Sequence, residues 1–230
     1  MLSTTIRIAS SAGLLGLSMT ACTTAEPAVT TSPAAQTSPA PAASTRAAAA
    51  DGIPAGALLQ PADVGGVQAE PLEQGEYAHV RPLRPCGDGR YPSDGSRTDA
   101  VAVQYAVPGA EQGSTPSVVI EFVGRYEPGG AAAQFRDIGA ALDRCPGGLG
   151  EGQRKWEIVE SDDDSMLIRI GQRFAYADEK PATVNHYAAL SRVNDAVVVV
   201  ADLGWENSDG SEKLVRDLIA KAGQRAATVS

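Results

Sequence analysis

Two stretches near the middle of the chain alternate apolar and polar residues with a period of two. They are DAVAVQYAV (99–107) and SVVIEFVGRYE (117–127), and the turn-forming PGAEQGSTP between them predicts antiparallel neighbours. The pattern then changes to a helical period. PGGAAAQFRDIGAALDRCP places Ala132, Phe135, Ile138 and Leu142 on one stripe and ends at Cys145, with Pro146 and Gly147 as stop signals. Three or four more strands are expected in KWEIVE, SMLIRIGQRFAYA, TVNHYAALSRV and DAVVVVADLG, with DEKP and the two-residue ND as hairpin links. A last helix starts near Asp209, where Asp209 and Glu212 have capping-box spacing, and buries Leu214, Val215, Leu218, Ile219 and Ala222. Upstream of the strands, IPAGALLQPADVGG predicts a short helix or turn that lays Leu58 and Leu59 on the domain's flank. Strand runs joined by hairpins, with two helices, predict an α+β domain: a mostly antiparallel sheet with its helices packed on one face.

The first fifty residues look different. Residues 1–21 carry one charge, Arg7, followed by the weakly apolar IASSAGLLGLSMTA, which is too short to persist as a bilayer-spanning helix. This is the pattern of an export signal. The residues MTAC (19–22) resemble a bacterial lipobox, in which a cysteine after a small residue receives a diacylglycerol thioether and the mature protein carries acyl chains such as palmitate. Cys22 is the expected attachment site; an ordinary signal peptide cleaved near Ala21 is the alternative. Residues 22–50 follow as the anchor cysteine and an Ala/Pro/Thr-rich stretch. It has almost no large apolar side chain to offset ordering entropy, so it predicts a disordered tether. As a coil, such a tether spans roughly 30 Å. The folded domain is expected over 51–230.

Composition narrows the function. With 19 basic and 28 acidic residues the formal net charge is -9, which disfavours nucleic acid as a partner. At 5% aromatic residues, the core must be built mainly from Val, Ile, Leu and Ala.

The chain has three cysteines. If Cys22 is acylated, Cys86 and Cys145 are left, and an exported compartment permits them to pair. The chain-entropy view gives such a cross-link about 4 kcal/mol. Two separate buried thiols or half of a metal site are the alternatives; no CxxC spacing supports a metal, and neither histidine lies near either cysteine in sequence.

The lipobox, the tether, a cysteine just before the first strong strand, YEPGGAAAQFRDIGAALDRCP and the terminal VVVVADLG strand with its helix resemble actinobacterial sensor-domain lipoproteins. These are related to the extracellular domains of mycobacterial PknH-type kinases. The resemblance covers about residues 52–225. It implies an antiparallel sheet flanked by helices, a cleft for an unidentified ligand, and no catalysis.

Catalytic signatures are sparse. G-x-S-x-G, H-E-x-x-H, P-loop and G-x-G-x-x-G patterns do not occur, so a hydrolase would have to use His79 or His186 as its base. His186 has the strand parity of Val184, Ala188 and Leu190 and is expected to point inward, whereas His79 is expected at the surface. ESDDDS (160–165) lacks the alternation and glycine of an EF-hand loop and predicts a solvated hairpin turn. Trp205 is expected as a lid on the sheet edge, and Trp156 as a packed strand residue. If the helices cover the face bearing Val103, Tyr105, Ile120, Phe122, Ile168 and Ile170, the opposite face presents Gln104, Glu121, Arg125, Arg169 and Tyr187. Those five are the candidate ligand-facing residues.

The sequence therefore reads as an exported, lipid-anchored ligand-binding or sensor-like domain on the outer face of the cell membrane. Its partners are the membrane, through Cys22, and a small-molecule or protein ligand; no metal or other cofactor is expected. An envelope lipoprotein that docks on another protein is the alternative, and a hydrolase is a weaker one.

Overall fold

The computed structural model describes residues 52–229 apart from 88, 110–114 and 176–179. Cys22, the signal segment and the tether lie outside the described residues, as do parts of the loops after the first and fourth of the expected strands.

Seven strands form one antiparallel sheet in the order β1-β2-β3-β7-β6-β5-β4. The short β1 (Glu70–Pro71) sits at one edge, beside β2 (Arg97–Val107) and β3 (Ser117–Tyr126). β4 (Arg154–Ser161) forms the other edge, beside β5 (Ser165–Phe174), and β6 (Ala182–Val193) and β7 (Ala196–Asp202) fill the middle. Helix α1 (Gly130–Arg144) links β3 to β4, and α2 (Glu212–Ala226) follows β7. The α+β class, the antiparallel sheet and a Cys86–Cys145 disulfide are all present.

One expectation is corrected: the helices do not share a face. Phe135, Ile138 and Leu142 of α1 pack with Ile120, Phe122, Ile168 and Leu190, whereas Leu218 and Ala222 of α2 pack with Val103, Tyr105, Val119 and Val200. The reason lies in β7. Its AVVVVAD is buried at every position, with Val197 and Val199 in the α1 layer and Val198 and Val200 in the α2 layer. An unbroken apolar run needs cover on both sides. At about 25 cal/mol per Å² of apolar surface, leaving either layer bare would forfeit several kcal/mol.

Local chemistry sets the element ends. Asn194 of the ND turn takes φ 52°, a left-handed conformation that asparagine tolerates. Asp162 closes the β4–β5 turn by accepting from the Asp164 and Ser165 amides. Helix α1 buries Ala131 rather than Ala132, one step round the expected stripe. Helix α2 starts later than expected, with Ser211 as its N-cap accepting from the Leu214 amide at 3.2 Å. Asp209 instead accepts from the Asn185 amide at 2.7 Å and ties the loop to β6. Buried Asp202 accepts from the Gly204 and Ser211 amides, which fixes the turn into α2.

The segment before β1 is held by a buried carboxylate. Leu58 and Leu59 sit in the α2 layer, and the Leu59 amide donates to Glu121 at 3.0 Å, while the Tyr105 hydroxyl lies 2.7 Å from the same carboxylate. Arg225 of α2 reaches Asp63 at 2.6 Å and adds a second tie.

Candidate functional site

The register separates the five expected ligand-facing residues. Val103 pairs with Glu121 and Gln104 with Ile120, so Gln104 lies in the α1 layer while Glu121, Arg125, Arg169 and Tyr187 share the α2 face. Val103 and Tyr105 correspondingly leave the layer of Ile120 and Phe122. Nor do the four that share a face form one site. Arg125 stands opposite Ala196, whereas Arg169 pairs with Tyr187 and through it with Asp202, whose β3 partner is Val119. Six residues of strand separate those rungs, on the order of 20 Å. Glu121 is sealed at 0% exposure, Arg125 is paired with Asp99, and Arg169 donates to Glu157 at 2.8 Å. That face is closed over at its centre and paired at its ends.

A different site forms on the α1 side, at the β4 edge. After Cys145 the chain runs back along β4: the Trp156 amide donates to the Pro146 carbonyl at 2.8 Å, and the Gly148 amide to the Arg154 carbonyl at 3.2 Å. Gly147, at φ 67°, lies so close that an added Cβ would stand 1.9 Å from the Arg154 carbonyl oxygen. The segment from His79 to Gly87 forms the facing wall. A cavity of about 290 Å³ lies between the two walls, with Arg154 and Trp156 on its β4 side and Gly152 and Gln153 at its rim. The Cys86–Cys145 disulfide joins one wall to the other.

The side chains around this cavity are unevenly partnered. Arg84 is satisfied: it donates to Asp94 at 2.9 Å and to the Gly89 carbonyl at 2.7 Å, and stacks over Tyr91. Arg154 is different. Among the described residues, the other half-buried arginines each have a carboxylate or carbonyl partner. The Arg154 guanidinium has none, and its Nε is shut away from solvent without a hydrogen bond. Burial pulls its pKa below the ordinary arginine value.

Both histidines are drawn to this region. His79 is half-buried rather than at the surface, with its ring edge-on to Trp156 at 6.3 Å between centroids. His186 is half-buried with the expected parity, and its Nε2 is enclosed without a partner. Burial first, then the charge of Arg154, depresses both, to about 3 for His79 and about 4 for His186. Near neutral pH both rings are therefore uncharged. Trp156 is packed as expected, at 5% exposure, whereas Trp205, expected as a lid on the sheet edge, is 39% exposed.

Position along the chain hides this constellation. His79, Arg154 and His186 come from a loop and two non-adjacent strands, and only the register of β4, β5 and β6 shows that Trp156 and His186 flank Ile170 on one row. The cysteines were the available signal, since their pairing brings the loop before β2 to the segment after α1.

No family model matches the chain, and no curated protein matches it. Among solved structures, it is similar to the extracellular domain of PknH from Mycobacterium tuberculosis. The TM-score is 0.43 at 15% sequence identity, over 73% of this chain and 93% of that one. No helix among the described residues is long and apolar enough to cross a membrane.

Proposed function

We propose that this chain is an exported ligand-binding or sensor-like module, anchored through Cys22 to the outer face of the cell membrane, and that its ligand occupies the cavity between the disulfide-linked walls. The single observation that carries this reading is the cavity itself. It is a concave space close to the lower size of small-molecule sites, about 300 Å³, where apolar and polar groups converge. Binding is favoured over hydrolysis because, among the described residues, no hydroxyl, thiol or carboxylate lines it to act with His79. The export-type amino terminus supports the location, and the disulfide agrees with an oxidising compartment.

The test is native mass spectrometry of the mature chain mixed with the small-molecule fraction of the cell envelope. Wild type should retain an adduct that Gln153→Trp, which fills the rim, does not. Equal adducts on both proteins, or none on wild type, would reject the cavity. The anchor is tested separately by the mass of the mature amino terminus. Wild type should carry the lipid, and Cys22→Ala should be released into the medium.

A further inference from the structure

We propose that the cavity recognises a compact oxyanion, a phosphate or carboxylate group of its ligand, on the Arg154 guanidinium. This rests on the reading of the cavity as the ligand site and adds the chemical class of what enters it.

Among the described residues, the lining carries two arginines and a histidine and no acidic residue, in a chain whose formal net charge is -9. An unpaired guanidinium on a concave surface of an otherwise acidic protein leaves a local positive field there. Arg84 does not supply the free donors, because Asp94 and the Gly89 carbonyl already accept from it. Arg154 does. A half-buried guanidinium without a counter-charge has lost part of its hydration and received nothing in exchange, which is unfavourable unless something else fills the role. The planar guanidinium fork fits an oxyanion with two parallel hydrogen bonds, a stronger match than a water molecule offers. His79 and Gln153 are neutral and add ring and amide N–H donors without enlarging the charge to be balanced. A volume of about 290 Å³ admits such a group with a small organic remainder.

The experiment is isothermal titration calorimetry of the mature chain with inorganic phosphate and with acetate, against chloride at matched ionic strength. Wild type should bind at least one of the two oxyanions in excess of chloride. Arg154→Gln should weaken that binding roughly tenfold or more, the equivalent of losing charge-assisted hydrogen bonds, and Arg154→Lys should fall between. If Arg154→Gln does not fold, Gln153→Trp takes its place and should abolish the heat. Vesicles of phosphatidylglycerol beside glycerol 3-phosphate distinguish a lipid headgroup from a free phosphoester, and binding of either supports the proposal. No binding of any oxyanion by wild type, or equal binding by the variants, overturns it. An envelope adduct that Gln153→Trp loses, in a protein that binds no oxyanion, would keep the cavity as the site and reject the anion.

Discussion

Burial sets the protonation of three residues in opposite directions. Glu121 is pushed up to about 7 by desolvation, against the hydrogen bonds it accepts from Tyr105 and the Leu59 amide. When protonated it can donate to the Tyr105 oxygen, which frees the Tyr105 hydroxyl for the Leu59 carbonyl 3.1 Å away. Glu121→Gln should therefore keep most of the stability, whereas Glu121→Ala, which strands the Leu59 amide and the tyrosine, should cost about 1–3 kcal/mol in urea unfolding. His79 and His186 go the other way. Their folded pKa values lie below the ordinary 6.5, so the unfolded chain binds more protons as pH falls below 6.5 and each histidine then destabilises the fold. The raised Glu121 has the opposite sign: it stabilises the fold at low pH and loses that contribution as pH rises from 4.5 to about 7. Two histidines outweigh one glutamate near pH 5.5. Stability should fall there by at most about 1 kcal/mol per pH unit of acidification, because desolvation raises Asp202 as well and so opposes the histidines, and level off above pH 7. Chemical unfolding across pH 4.5–8 checks this, and His186→Phe should flatten the acid limb.

Among the elements, the segment after α1 walls the cavity and is sensitive to change at Gly147. Gly147→Ala both strains a left-handed backbone and drives a methyl into the Arg154 carbonyl, so it should destabilise by roughly 2 kcal/mol or more and raise proteolysis between α1 and β4. Reducing the disulfide, or replacing both cysteines by serine, should lower stability by up to about 4 kcal/mol for a 59-residue separation. It should weaken ligand retention as well, because it unlinks the two walls. The strands, helices and cysteine pair were legible in the sequence because each rests on a local period or a simple count. The face of each helix was not. Register across the nine-residue loop 108–116 decides whether Val103 lies beside Ile120 or Glu121, and neither strand encodes that choice alone. The run at Val197–Val200 carries a signal for cover on both sides, which an arrangement with both helices on one face leaves unmet. Glu121 looked like a surface charge by its polarity, yet the Leu59 amide and Tyr105 hydroxyl that satisfy it come from distant parts of the chain. His79 was missed for the same reason: only the fold brings its loop against Trp156.

As a whole, the described residues form a sheet covered on both faces, with the candidate cavity at its β4 edge. The four-residue apolar core of β7 and the two helix layers make a rigid support, while the proposed ligand site is assembled from the less regular segments fastened by Cys86 and Cys145. The chain has two tryptophans, one at the cavity and one exposed on the loop before α2, so the molecule carries its own reporter and its own control. The most direct measurement is the indole N–H spectrum of the ¹⁵N-labelled mature chain, titrated with the small-molecule fraction of its cell envelope. The Trp156 resonance should move in a saturable way while that of Trp205 stays. Movement of Trp205 alone, or a saturable ligand that leaves Trp156 unmoved, would contradict the cavity as the ligand site.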